Sequence, residues 1–71
     1  MFDKLNKVEW KVLELFLENP YDKFYLRQIS RALKISTSSV KTALDKIEKM
    51  ELILPETFGN LRIYRGNSDD I

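Results

Sequence analysis

The chain has 71 residues and a net charge of +1, and it contains neither cysteine nor histidine. A disulfide is therefore excluded, and a zinc site would depend on carboxylates alone. The commonest general base and the best thiol nucleophile are both missing, and the two glycines, Gly59 and Gly66, form no phosphate-binding loop. We expect one small domain, residues 1–71, that is not an enzyme and that needs no metal or cofactor.

No apolar segment approaches the roughly 20 residues that span a bilayer. The first ten residues are charged and lack the continuous apolar stretch of a secretory signal. The lack of cysteine fits a reducing compartment. We therefore predict a cytoplasmic protein with no membrane partner, and the sequence indicates no small-molecule ligand.

The charge is unevenly distributed along the chain. Residues 23–65 have a net charge of +5, whereas residues 1–22 and residues 66–71 each have −2. A basic central segment between acidic ends suggests a polyanionic partner for that segment.

The first predicted helix covers about residues 6–19. Its apolar residues recur at three- and four-residue spacing, as in a buried helical stripe: Leu5, Val8, Val12, Leu15 and Phe16. Asn6 and Glu9 have the spacing of a capping box, and Pro20 ends the helix because it cannot continue the hydrogen-bond ladder. Residues 22–25 then predict a brief strand or an extended link, since Phe and Tyr favour extended backbone.

Two further helices follow with almost nothing between them. Leu26, Ile29 and Leu33 predict a helix at about residues 26–33, and a longer one follows at about residues 37–50. Ser36 is a good N-cap for the longer helix. Its buried stripe consists of Val40, Ala43, Leu44 and Ile47. Only two residues separate these helices, which predicts a tight helix-turn-helix.

The remaining elements form a predicted β-hairpin at about residues 53–65. Gly59-Asn60 is a two-residue turn sequence in which glycine at the first position favours type II′. Leu61 and Ile63 alternate with Arg62 and Tyr64, which predicts a half-buried strand. Pro55 confines the other strand to an edge.

Residues 26–53, LRQISRALKISTSSVKTALDKIEKMELI, resemble the archaeal and bacterial winged helix-turn-helix transcriptional regulators. The matching positions are Ile29, Leu33, Ile35, Ser36, Ser38, Val40, Leu44, Ile47, Leu52 and Ile53. The resemblance implies an α+β, mainly α fold, in which a three-helix core has a C-terminal hairpin as its wing. Three residues depart from the family: Lys34 and Glu51 replace frequent glycines, and Ser30 replaces a small apolar residue.

The resemblance implies binding to double-stranded DNA, with the third helix in the major groove. On that helix the predicted base-reading residues are Thr37, Ser38, Lys41 and Thr42. The predicted contacts to the DNA backbone, or from the wing to the minor groove, are Arg27, Arg31, Lys34, Ser36, Lys46, Arg62 and Arg65. Asp45 either accepts from a cytosine amino group or, as we favour, pairs with a lysine four residues away.

Three structural alternatives stay open. The lysines of the third helix also fit an ordinary solvated face, and the tyrosines fit packing better than base stacking. A second apolar stripe on the first helix, formed by Trp10, Leu13 and Leu17, predicts either a homodimer contact or a surface that the hairpin or the chain ends cover. The main hypothesis is a DNA-binding transcriptional regulator, or the DNA-binding domain of one. The alternative is a protein–protein interaction module that uses this stripe.

Overall fold

A computed structural model describes residues 5–67. Over this range, three helices and three strands follow in the order α1 (Lys7–Glu18), β1 (Lys23–Tyr25), α2 (Leu26–Leu33), α3 (Thr37–Lys49), β2 (Ile53–Phe58) and β3 (Leu61–Gly66). The predicted order of helices and hairpin is confirmed, and the segment before α2 is a strand rather than a link. Within the described range, no helix has the length and apolar character needed to span a bilayer.

Both ends of α1 are closed by asparagine side chains. The Asn6 side chain accepts from the Glu9 N–H at 2.8 Å, and the Glu9 carboxylate accepts from the Asn6 N–H at 3.0 Å. This reciprocal arrangement confirms the predicted capping box and satisfies backbone donors that the helix cannot satisfy itself. At the other end the Asn19 side-chain amide donates to the Leu15 carbonyl at 2.9 Å.

The three strands form one antiparallel sheet in the order β1-β3-β2. Pro55 lies on the edge strand β2, as predicted, so its missing N–H interrupts no ladder inside the sheet. Strands β2 and β3 join through Gly59-Asn60, with Phe58 directly opposite Leu61. Gly59 has a φ of 60° whereas Asn60 is not among the residues with positive φ, which is the combination that a type II′ turn requires.

The helices pack on one face of this sheet. The core consists of Leu5, Val12, Leu13, Phe16, Ile29, Val40, Ala43, Leu44, Ile47, Ile53 and Tyr64. On β3 the buried residue is Tyr64, which is 2% exposed and packs as we favoured, whereas Leu61 is 48% exposed. The register explains this, because Tyr64 pairs with Phe24, whose ring contacts Phe16 edge to face at 5.3 Å. A tyrosine ring supplies more packing area there than a leucine would.

The two positions that depart from the family glycines have left-handed backbone. Lys34 has φ 58° and Glu51 has φ 61°. After α3, the Leu52 N–H donates to the Ile47 carbonyl at 3.1 Å and the Glu51 N–H donates to the Glu48 carbonyl at 2.9 Å, which is a Schellman motif. The sharp turns are therefore retained without glycine, at a strain of about 1 kcal/mol for each residue.

Ser30 explains how the turn between α2 and α3 is held. Its carbonyl accepts from the N–H groups of Lys34 and Ile35, and its hydroxyl donates back to the Ile35 carbonyl. A small apolar residue at this position could make only the backbone contacts. The serine at this position therefore adds a side-chain hydrogen bond across the helix-turn-helix.

The prediction of a second, exposed apolar stripe on α1 was wrong for one of its three residues. Leu13 is 3% exposed and belongs to the core, whereas Trp10 and Leu17 remain partly exposed. The reason is that α1 contacts α2, α3 and β3 together, so its buried arc is wider than a single stripe. Glu9, which lies between the two predicted stripes, is buried as well.

Candidate nucleic-acid interface

One side of α3 is left uncovered by the rest of the described chain. We call it the α3 face and define it as Thr37, Ser38, Lys41 and Thr42, all of which are exposed. The helix presents this side to solvent because its apolar residues, Val40, Ala43, Leu44 and Ile47, are buried on the other side. The Ser36 side chain caps the helix by accepting from the Ser39 N–H at 3.4 Å. All four predicted base-reading residues therefore share one accessible surface.

Two of these four side chains have partners on their own helix. The Lys41 ammonium lies 2.8 Å from the Asp45 carboxylate. This hydrogen bond raises the pKa of Lys41, against the smaller opposing effects of burial and of the neighbouring Arg62. The Thr42 hydroxyl donates to the Ser38 carbonyl at 3.0 Å. Asp45 therefore pairs with the lysine four residues away, which is the alternative that we favoured from the sequence.

Arg62 connects the hairpin to α3. Its guanidinium donates to both carboxylate oxygens of Glu48, at 3.1 and 3.3 Å. The same group lies 5.5 Å from the ring centre of the buried Tyr64, within cation–π range. Arg62 and Glu48 therefore tie β3 to α3.

Arg65 lies on the opposite face of the sheet and is not brought together with the α3 face. Its Nε is 2.6 Å from Glu56, and the Lys23 ammonium is 3.1 Å from the same carboxylate. The hydrogen bond from Lys23, followed by that from Arg65, lowers the pKa of Glu56. This group of three charges joins all three strands on the outer face.

Lys46 lies close to the beginning of α1. Its ammonium is 3.3 Å from a carboxylate oxygen of Glu9, whose side chain is almost completely buried. Lys46 is thus in a position to hold α3 against the capped end of α1. This placement gives a predicted DNA-backbone residue a structural role as well.

The remaining predicted backbone residues follow α2. Arg27, Arg31 and Lys34 recur at spacings of four and three residues and are all exposed. Within residues 5–67, none of the three has an acidic partner, in contrast to the five cations described above. This α2 stripe is therefore a group of three exposed cations that no described acid neutralises.

Two surface features were not predicted from the sequence. A cleft of about 300 Å³ separates the beginning of α1 from the first half of α3, and it is lined by Asn6, Val8, Glu9, Ser38, Ser39, Thr42 and Ala43. The other feature is the exposed apolar pair Phe58 and Leu61 at the end of the hairpin. This pair could have been predicted from the sequence, because an apolar residue stands on each side of Gly59-Asn60. Among residues 5–67, no three acidic side chains gather as a metal site would require.

Three helices with a tight turn between α2 and α3, followed by a hairpin that contacts α3, define a winged-helix protein. Comparison with solved structures agrees. ZitR of Lactococcus lactis (C30AH42A mutant) is 26% identical with a TM-score of 0.78, over 93% of this chain and 45% of that protein. Its C30S mutant in complex with DNA is 26% identical with a TM-score of 0.75, over the same shares.

A third similar structure concerns the DNA recognition and protein interaction domains of HOP2. It is 19% identical with a TM-score of 0.77, over 84% of this chain and 98% of that one, and at this identity it supports the fold alone. No family model and no curated protein matches the sequence. The winged-helix fold is therefore confirmed, whereas membership of the archaeal and bacterial regulator family stays a prediction. The chain spans less than half of ZitR.

Proposed function

We propose that this domain binds double-stranded DNA by inserting the α3 face into the major groove. The observation that carries the proposal is that the hydroxyl- and lysine-bearing side of α3 stays exposed while the opposite side forms the core. A major groove admits one α-helix, and hydroxyl and ammonium groups can bond to its base edges. The similarity to ZitR, which was solved in complex with DNA, supports the proposal.

Within this proposal the cations divide into two groups. The α2 stripe contacts phosphates directly, because no acid in the described chain competes for it, and the hydroxyl of Ser36 adds a contact at the start of α3. The second group must give up a carboxylate partner before it can contact a phosphate. It consists of Lys41, Lys46, Arg62 and Arg65. We therefore expect moderate affinity for one copy of the chain and, as a further part of the proposal, a cytoplasmic transcriptional regulator as the biological context.

The salt dependence of binding measures how many cations make this exchange. If only the α2 stripe releases counterions, the slope of log K against log salt is about −3. If the four paired cations also reach phosphates, the slope approaches about −6. Fluorescence anisotropy with a labelled mixed-sequence duplex, repeated over a salt series, separates these cases.

The decisive variants remove charge from the proposed surface. Lys41→Ala together with Arg62→Ala should weaken binding at low salt about tenfold or more and flatten the salt slope by about 1 to 2. Lys11→Ala is the matched control, because Lys11 is an exposed lysine of α1 and belongs to none of the predicted DNA contacts. Equal affinities for the double variant and the control would contradict the proposal.

The alternative proposal, a protein-interaction module, rests on the exposed part of α1. Leu17 is 57% exposed and Trp10 lies at the surface two turns earlier, so an apolar patch persists although Leu13 has left it. A homodimer through this patch would double the DNA contacts. Sedimentation of Leu17→Ser against wild type tests this, and a monomer for both at all concentrations would rule the homodimer out.

A further inference from the structure

The end of the hairpin carries two apolar side chains where a solvated turn would normally be polar. Phe58 and Leu61 face each other directly across Gly59-Asn60 and are 69% and 48% exposed. Neither belongs to the core or to the partly buried side chains that pack against it. Exposure of two adjacent large apolar groups costs solubility, which suggests a binding role for the pair.

The arm that carries this pair is fixed in place. The Tyr64 side chain of β3 is buried in the core. The Arg62 guanidinium lies over the Tyr64 ring and also donates a hydrogen bond to Glu48 of α3. Six residues of β2 lead from the buried Ile53 to Phe58, a length of about 17 Å at the usual rise of a strand. The pair therefore lies at the end of a hairpin that is docked on α3 through Arg62.

We propose that Phe58 and Leu61 form an apolar wedge that enters the minor groove next to the major groove occupied by α3 and partly unstacks one base step. The inference rests on the proposed function, since it assumes that α3 binds DNA. Apolar side chains, among them Phe and Leu, are those that minor-groove proteins insert between base steps.

The charges around the pair favour DNA over a protein partner. Residues 53–66 carry one acid, Glu56, against Arg62 and Arg65, and that acid is bonded to Lys23 and Arg65. The turn itself has no carboxylate to repel phosphates. Arg62 follows Leu61 in β3 but lies on the other face of the strand, where it bonds to Glu48 of α3. The hairpin that carries the wedge is therefore docked on the helix that we assign to DNA.

The dimensions predict what the wedge does to the duplex. Paired strands lie about 4.8 Å apart before their side chains are counted, and an undistorted minor groove is about 6 Å wide. The pair enters only if the groove opens, which means a kink towards the major groove. Pyrimidine–purine steps kink easily whereas A-tracts are stiff and narrow. The wedge should therefore favour flanks with TA or CA steps without contacting any base edge specifically.

End-to-end energy transfer on a labelled 20-base-pair duplex tests this without knowledge of the binding register. Wild type should bend a duplex rich in TA steps by several tens of degrees and bind it about 5- to 10-fold tighter than a duplex built from A-tracts. Phe58→Ser with Leu61→Ser should bind both duplexes equally and leave them straight. Phe58→Leu should keep most of the bend. Tyr21→Ser, at an aromatic residue that is 91% exposed in the loop after α1, is the matched control and should behave as wild type.

Three results would overturn the wedge. They are a double serine variant that bends the duplex as wild type does, a wild type that binds without bending, and a variant that loses self-association in sedimentation while its DNA binding stays the same. Circular dichroism of both variants confirms that they fold. If wild type fails to bind either duplex at low salt, the proposed function itself fails, and this outcome is distinct from binding without a bend.

Discussion

Replacement of Glu9 by alanine should destabilise the fold far more than a typical surface change. The Glu9 side chain is 6% exposed, and its two oxygens accept from the Asn6 N–H at 3.0 Å, from the Asn6 side-chain amide at 3.2 Å and from Lys46 at 3.3 Å. Alanine removes all three contacts and also the negative charge at the beginning of α1.

The expected size follows from these contacts. Loss of the capping interaction costs about 1 kcal/mol, loss of charge near the helix N-terminus costs about 0.5 kcal/mol, and loss of the half-exposed ion pair costs about 0.5 kcal/mol. The sum is about 2 kcal/mol, a large fraction of the roughly 4–10 kcal/mol that a domain of this size has. The corresponding decrease in Tm is about 8–16 °C. Glu9→Gln keeps the capping box and should lose about half as much.

Urea unfolding followed by circular dichroism measures these differences. A double-mutant cycle with Lys46→Met isolates the ion pair, for which we expect a coupling of about 0.5 kcal/mol. Glu14→Ala is the matched control, because Glu14 is an exposed acid in the middle of the same helix. A free energy of unfolding for Glu9→Ala within about 0.5 kcal/mol of this control would refute the reasoning.

Three further predictions concern other parts of the chain. Glu48→Gln frees Arg62 from its carboxylate and should tighten duplex binding about two- to fivefold at low salt by anisotropy; weaker binding would contradict this, and Glu14→Gln is the control. Glu51→Gly should be about 0.5–1 kcal/mol more stable to urea than Glu51→Ala, because both lose the carboxylate but only glycine relieves the positive φ. Lys23 holds the pKa of Glu56 below its ordinary value, so this pair stabilises the sheet above about pH 4.3 and less as the pH falls below it. Glu56→Gln should remove that acid-dependent loss in thermal melts, and an unchanged profile would disprove the assignment.

The helices and the hairpin could be predicted because their signals are local. The capping box at Asn6 and the turn at Gly59 depend on residues within a few positions of each other, and both predictions were confirmed. The resemblance also identified Lys34 and Glu51 as positions where the family often has glycine, which left open whether these residues adopt left-handed backbone or the turns differ. The structure shows that both residues adopt it.

The errors concern features that depend on packing between distant segments. Whether Leu13 is buried depends on the three elements that meet α1. Residues as far apart in sequence as Glu9 and Lys46 form ion pairs, which no local pattern reveals. Of the described pairs on the proposed surface, only the one between Lys41 and Asp45 has a spacing that a helix makes predictable.

An NMR titration of this chain with duplex DNA at low salt would test most directly whether α3 is the surface that reads DNA. We predict that the largest amide shifts fall on residues 36–46 and 59–65, with smaller shifts along α2, and that they fade as salt is raised. Shifts confined to residues 7–18 of α1, or no shifts at all, would contradict the proposal and leave the exposed side of α3 without a function.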